Sequence, residues 1–332
     1  MPKISIFTPV FNAQNYLEEC LNSLRNQTFS DWECLLIDDG STDKSKQIID
    51  AFTSSDSRFI AFFLEHCGNP QKLKGLVRPE ANGDWFFDLD ADDFLEVDCL
   101  EILVNRQKQT GVDTVILQLK LVDEQGVKIL KKIPEDNFNF DQILSGKEAG
   151  MLTIGKWGIS TMGIVSRDLY TSANFDLSNN SLNLDEYVSQ ATLFASRSVA
   201  FSQAGYFYRQ HQQARTKTPT PVRFAILHSD KMRENLVISH FGEHSNEAKI
   251  AKTTSLKRFL GMYTLFFRFQ KHFSKDEQKR INTLFLETFK SFSKKEIWHS
   301  NLHVLKKCLL ILPRPFVALG CKFYAFLRKM RP

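Results

Sequence analysis

Four aspartates fall within Asp88-Leu89-Asp90-Ala91-Asp92-Asp93, directly after the aromatic run Trp85-Phe86-Phe87. Inside a strand such a cluster is costly, because like charges repel and buried carboxylates lose solvation. A hard divalent cation relieves both penalties. Mn2+ or Mg2+ takes oxygen ligands, commonly one or two carboxylates together with substrate phosphates. The cluster therefore points to a metal that neutralises a diphosphate leaving group. The competing reading is an Asp-rich helix start, which the helix macrodipole favours and which would account for Asp92 or Asp93 taken singly. A second acidic group, Asp38-Asp39-Gly40-Ser41, has turn chemistry of its own. A carboxylate there either holds the turn or accepts from a ligand N–H or hydroxyl.

The elements around these clusters give them a place. Ile4 to Phe7 is a short apolar strand, and Tyr16, Leu17, Cys20, Leu21 and Leu24 repeat with helical spacing. The run from Trp32 to Ile37 fits a buried parallel strand ending in the first acidic turn. Ser41 or Thr42 is the expected N-cap of the next helix, which runs to about Phe52. Further strands are expected over 58–64, 83–89 and 113–122, with a helix over 97–108 and a hairpin turn at Glu124-Gln125-Gly126 leading into 127–133. This β-α-β-α alternation predicts an α/β fold with a mainly parallel, mixed sheet flanked by helices. Ligands in such sheets bind beyond the carboxyl ends of the strands, and both acidic clusters lie there. After about Pro221 the pattern changes to helices, with an aromatic stripe of Phe259, Met262, Tyr263, Phe266, Phe267 and Phe269. Such a stripe is more often helix core than binding surface.

The chain has 332 residues and a net charge of +5. That balance hides an asymmetry: residues 215–332 hold 24 Lys and Arg against 8 Asp and Glu, while the rest holds 19 against 30. A basic half invites an anionic partner. No motif that reads RNA or DNA accompanies the charge, so nucleic acid is not expected as a partner. The six cysteines form no C-x-x-C pair and read as reduced thiols of a cytoplasmic protein. No apolar run is long enough to span a bilayer. Near the end, Leu309, Leu310, Ile311, Phe316, Phe323, Tyr324 and Phe326 alternate with Lys306, Lys307, Arg314, Lys322, Arg328 and Lys329. This suits a peripheral helix pair on an anionic membrane, here the inner face of the plasma membrane, or equally a helix packed on its neighbours with a solvated basic face.

Four segments in register carry a resemblance: Phe7-Thr8-Pro9-Val10-Phe11-Asn12, Gln27-Thr28-Phe29-Ser30-Asp31-Trp32-Glu33, Ile37-Asp38-Asp39-Gly40-Ser41-Thr42-Asp43 and Leu89-Asp90-Ala91-Asp92-Asp93. Together they resemble the family 2 inverting nucleotide-sugar glycosyltransferases of GT-A fold, over about residues 3–110. The resemblance implies that Thr8, Pro9, Phe11, Asp39 and Asp90 bind the nucleotide, and that the donor is a UDP-sugar. It implies that Asp90, Asp92 and Asp93 hold Mn2+ or Mg2+ with the diphosphate. Tyr206-Phe207-Tyr208-Arg209-Gln210-His211 is similar to a second family segment, and implies Arg209 at the diphosphate and His211 at the metal. The family's Glu-Asp pair, whose Asp is the base, is matched by Leu184-Asp185-Glu186, which implies Asp185 as catalytic base with Glu186 in reserve.

The sequence also departs from the family. Lys72-Leu73-Lys74-Gly75-Leu76 stands where an Arg-Asn-x-Gly-Leu segment is usual, leaving Lys74 as a candidate diphosphate ligand. The implied organisation is a catalytic domain over 1–215, with a nucleotide-binding half over 1–110 and an acceptor half over 111–215, followed by a basic helical region over 216–332. The implied partners are a nucleotide-sugar donor and a surface-glycan acceptor: lipopolysaccharide, capsule or lipid-linked oligosaccharide. A degenerate relative that only binds a glycan or a partner enzyme is the alternative. A nucleotidyltransferase would need a Gly-rich basic loop after the first strand, where Pro9-Val10-Phe11-Asn12-Ala13 stands instead.

Overall fold

Ile4–Val10 (β1), Leu17–Arg25 (α1) and Trp32–Asp38 (β2) open the chain. Both strands are buried almost throughout, as expected where helices cover both faces of a parallel sheet. They pair in parallel, from Ile4 opposite Trp32 to Val10 opposite Asp38. In α1, Leu17, Cys20, Leu21 and Leu24 form the buried stripe that their spacing announces. The computed structural model describes residues 3–173, 175, 183–211, 220–292 and 297. The chain divides into two units, Met1–Ser178 with Val188–Gln212, and Asn179–Tyr187 with Gln213–Pro332.

The first unit continues with Ser45–Ser55 (α2), Phe59–Phe63 (β3), Pro70–Val77 (α3), Trp85–Asp88 (β4), Phe94–Leu95 (β5), Cys99–Thr110 (α4), Thr114–Val122 (β6) and Ile129–Ile133 (β7). Ile143–Ser145 (β8), Gly146–Met151 (α5), Gly163–Ser166 (β9) and Arg167–Ser172 (α6) follow. Then come Leu184–Ala195 (α7), whose start belongs to the second unit, and Ser198–Arg209 (β10). Among the described residues the strands form one mixed sheet in the order β3-β2-β1-β4-β9-β6-β10-β5, with β7 on β6 and β8 on β10. β1 to β4 are parallel, as are β6 and β10, while β9 runs antiparallel between β4 and β6. The α/β expectation holds.

The start of α2 differs from expectation. The helix begins at Ser45, not beside Ser41 or Thr42, and its N-cap Lys44 makes no side-chain cap. Asp43 serves instead, its carboxylate accepting from the Ser45 and Gln14 backbone N–H groups at 2.9 and 3.0 Å. Ser41 is thereby left to accept from the Asn12 N–H at 3.0 Å.

A buried carboxylate fixes the approach to β4. Glu33, inside β2, accepts from the Ser5 hydroxyl at 2.6 Å and from the Asn82 backbone N–H at 2.5 Å, and Ser5 Oγ accepts from the Gly83 N–H at 2.7 Å. The backbone at Gly83 lies so close that a Cβ there would sit 2.4 Å from Ser5 N and 2.7 Å from the Ile4 carbonyl carbon. Gly83→Ala is expected to cost about 3 kcal/mol by overpacking, read as a lower midpoint in urea unfolding at unchanged slope.

The second unit contains Pro221–Phe224 (α8), Ile226–Phe241 (α9), Asn246–Phe269 (α10) and Lys275–Lys290 (α11). The aromatic stripe on α10 is core: Phe259 and Phe266 are buried with Phe224, Phe273 and Phe285. The Phe224 ring meets those of Phe266, Phe273 and Phe285 edge-on at 5.7 to 5.9 Å, the arrangement that aromatic quadrupoles favour. No helix among the described residues is long and apolar enough to cross a membrane. The basic, apolar stretch over 304–332, with Cys308 and Cys321, lies outside the described residues, as does most of the 213–222 boundary.

Candidate functional site

The carboxyl ends of β1, β2 and β4 lie side by side in the sheet, so the loops that leave them share one edge. Two of these loops are zipped together. The Asn12, Ala13 and Gln14 N–H groups donate to Ser41, Ser45 and Asp43 side chains, and the Thr42 and Lys44 N–H groups donate back to Asn12 Oδ1 and Gln14 Oε1, all within 3.0 Å. Asn12 adopts φ 50° to make this exchange, a conformation Asn tolerates better than most residues.

The expected nucleotide-side residues are placed unevenly. Phe11 is 47% exposed and stacks on His66, with ring centroids 4.2 Å apart. Pro9 is half-buried on the same strand end. Thr8 points into the core, where its hydroxyl meets Cys34 Sγ at 3.6 Å. Asp39 is buried, and its carboxylate accepts from the Cys67 and Gly68 N–H groups at 2.7 and 2.9 Å and pairs with His66 Nδ1 at 3.1 Å. Asp39 thus shapes the loop that carries His66. Sequence reasoning missed His66, whose only local signal is the glycine two positions on, Gly68 at φ 66°.

In the second acidic cluster alternate carboxylates take different roles. The Asp90 N–H donates to Tyr206 Oη at 3.1 Å, and its side chain is half-buried at the surface edge. Asp92 is more open, its side chain 39% exposed, and its Oδ2 lies 2.8 Å from Nε2 of the buried His211. Asp93 turns inward. Its oxygens accept from Tyr206 Oη and from the Arg209 N–H, each at 2.8 Å. Burial, then the Asp92 and Asp90 charges, push the Asp93 carboxyl well above the usual carboxylate range. Asp93 was expected among the metal ligands; here each of its oxygens accepts a hydrogen bond from within the protein.

Arg209 is likewise engaged within the protein. Its side chain is 3% exposed and every arm is spent on the protein: Nε on the Asp92 carbonyl at 3.0 Å, Nη1 on the Glu124 carbonyl at 2.7 Å and Nη2 on the Glu19 carboxylate at 2.6 Å. It also lies 5.1 Å from the ring centres of both Tyr16 and Phe94. Arg209 therefore holds the turn that presents Asp92, where a diphosphate contact was expected. Lys74 sits at the other flank, its Nζ 2.9 Å from Asp88 Oδ2. Burial pulls its ammonium down, but the Asp88 and Asp90 carboxylates outweigh that and hold its pKa above the ordinary lysine value. The Lys74 charge is thus retained beside the cluster.

Among the described residues no three His, Cys, Asp or Glu side chains converge into a ready metal site. The donors present still suit a cation whose coordination a diphosphate completes. Asp92 and His211 are already within 2.8 Å, and a mixed carboxylate and imidazole pair fits Mn2+ better than Mg2+. Among the described residues His211 Nδ1 has no hydrogen-bond partner, and the ring meets Asp92 and Tyr16, the latter with ring centroids 5.0 Å apart.

Asp185 and Glu186 stand at the start of α7, in the second unit. Asp185 is exposed and Glu186 half-buried. Near them, Asp230 on α9 is buried, with Arg258 Nε 3.1 Å from Oδ2 in an ion pair lacking hydrogen-bond alignment. Burial pushes its carboxyl up to about 6 against the pull of Arg258 and Arg233, with Glu186 and Glu234 adding to the rise. A carboxyl whose folded pKa lies above its unfolded value binds more protons when folded, so this contribution weakens as pH rises from about 4 to 6 and is flat above. Thermal melts of wild type and Asp230→Asn across pH 4 to 8 are expected to diverge over that window, by up to about 3 kcal/mol in favour of the variant as pH rises. Parallel curves would deny the burial penalty.

The family described as Glycosyl transferase family 2 matches residues 5–162. The chain is 25% identical over 230 residues to glycosyltransferase GlyG of Streptococcus pneumoniae, covering 67% of this chain and 75% of that protein. It is 30% identical over 246 residues to the cholesterol galactosyltransferase of Borreliella burgdorferi, covering 70% of this chain and 66% of the other. Among solved structures, S. aureus TarS 1–349 in complex with UDP-GlcNAc aligns with 98% of this chain and 90% of its own, at a TM-score of 0.65 and 15% identity. That likeness is one of fold, and it bears out the GT-A expectation.

Proposed function

We propose, of a chain that is a glycosyltransferase of family 2, that it transfers a sugar from a nucleoside-diphosphate donor to a hydroxyl with inversion, and that UDP is the nucleotide. The carrying observation is the Asp92–His211 pair at 2.8 Å beyond the end of β4, with Lys74 kept charged on the cluster's flank. Phe11 and His66 offer two exposed rings to a nucleobase at the neighbouring strand ends, and Asp39 holds their loop. Asp92 and His211, with Asp90 beside them, would hold Mn2+ or Mg2+ together with the donor's diphosphate. When bound, that cation neutralises charge developing on the leaving diphosphate. Lys74 adds a fixed positive charge to the same task. Asp185 accepts the proton of the attacking hydroxyl as general base. Asp93, Tyr206 and Arg209 set the backbone that aims Asp92.

The acceptor in this reading is a bacterial surface glycan or glycolipid, reached on an inner membrane face. The UDP-GlcNAc complex of TarS and the galactosyltransferase relative support a nucleotide-sugar donor of hexose or N-acetylhexosamine type. The test is release of UDP from a panel of UDP-sugars with and without Mn2+. Slow metal-dependent hydrolysis of one donor supports the reading. Nucleotide binding without turnover on any donor or acceptor would turn it into that of a degenerate binding protein.

A further inference from the structure

Glu186 lies beside the proposed base, and its surroundings give it a separate task. Its carboxylate accepts from the Asn183 side-chain amide on one oxygen and from Arg233 Nη1 on the other, and Arg258 Nη2 approaches the second oxygen at 3.7 Å. Its backbone N–H donates to the Asn183 carbonyl at 3.2 Å. Asn183 itself sits at φ 62°, so the turn into α7 is drawn tight by groups that converge on one side chain. The two arginines come from different helices, Arg233 from α9 and Arg258 from α10. They share Asp230, 3.9 Å from Arg233 and 3.1 Å from Arg258. One turn along α9, Lys231 pairs with the buried Glu234 at 2.6 Å. Among the described residues Arg233 and Arg258 pair with the Glu186 carboxylate, and both are also engaged by Asp230.

A carboxylate pinned in this way is badly suited to take a proton from an incoming hydroxyl, since proton transfer needs an oxygen that reaches the substrate. The neighbouring Asp185 is exposed. We propose that Glu186 is a positioning residue, and that Arg233 and Arg258, through it, lock the first turn of α7 so that Asp185 is held in one orientation as the base. This rests on the reading of Asp185 given above. Arg233 interacts electrostatically with Asp185 as well as with Glu186, and a cation near a carboxylate favours its ionised form.

The experiment compares Glu186→Gln, Arg258→Ala, Arg258→Lys and the double variant Glu186→Gln/Arg258→Ala with Asp185→Asn, all in the full chain. Donor titration by calorimetry and circular dichroism serve as controls for folding. The expected result is a kcat lowered about 10- to 100-fold by Glu186→Gln and by Arg258→Ala, with donor KM unchanged and partial recovery in Arg258→Lys. The double variant is expected to lose no more than the worse single, because both act through one contact. The acidic limb of the kcat profile should move to higher pH in a further variant, Arg233→Ala, because Arg233 interacts electrostatically with Asp185, a change that loosened packing alone would not produce. Additive losses, or an unmoved limb, overturn the positioning role while Asp185→Asn is still inactive. If Asp185→Asn retains turnover and Glu186→Gln abolishes it, the base assignment itself fails.

Discussion

Asp92→Ala is expected to lower kcat/KM for transfer by at least about a hundredfold, the loss that follows removal of one group stabilising charge in a transition state. The variant deletes a part-exposed carboxylate of the cluster and removes the group that meets His211 Nε2 at 2.8 Å, while Nδ1 has no other partner among the described residues. Half of the proposed cation site is lost at once. The fall should therefore appear together with a raised Mn2+ requirement, read by titrating the metal at fixed donor. Asp93→Asn provides the contrast. Asp93 is pushed toward its protonated form by burial and by its acidic neighbours, and asparagine keeps the shape and part of the bonding to Tyr206 and Arg209. Its metal requirement should stay near wild type. Equal metal dependence in the Asp92 variant and wild type would remove Asp92 from the proposed site.

Asp185→Asn is expected to lower kcat by roughly a hundred- to ten-thousandfold, the range for loss of a general base. Asparagine is close in size and Asp185 is exposed, so stability should change by less than about 0.5 kcal/mol. Donor affinity should hold, because the donor-side groups lie on the strand ends of the first unit. Single-turnover kinetics with saturating donor separate the two steps: binding intact, transfer slow. A variant as fast as wild type would exclude Asp185 as the base.

Much of the first unit was legible because parallel strands leave plain marks. Trp32–Asp38 is apolar at five of its seven positions, and a buried parallel strand is the simplest structure that uses such a run. The acidic clusters were legible for the complementary reason: runs of carboxylates, costly inside a strand, stood where strands end. What spacing could not convey is the direction in which each carboxylate of a turn points. Asp92 and Asp93 are adjacent, yet one is open and the other is sealed by Tyr206 and Arg209. Arg209 looked like a phosphate ligand because arginines in such segments are cations near anions. Its burial between Tyr16 and Phe94 depends on residues nearly two hundred positions away. The clamp on Glu186 was equally hidden, since Arg233 and Arg258 sit on helices whose local patterns say only that one face is apolar and another charged.

The zipped loops after β1 and β2 bear on engineering. Six hydrogen bonds tie residues 12–14 to residues 41–45, and each loop supplies both donors and acceptors. Neither loop is an independent module. A chimera that imports one from a relative with a different donor would inherit acceptors without their donors, and would be judged a failed specificity graft when it is a broken seam. The two loops should be transplanted as one cassette, and libraries aimed at donor choice should vary them jointly.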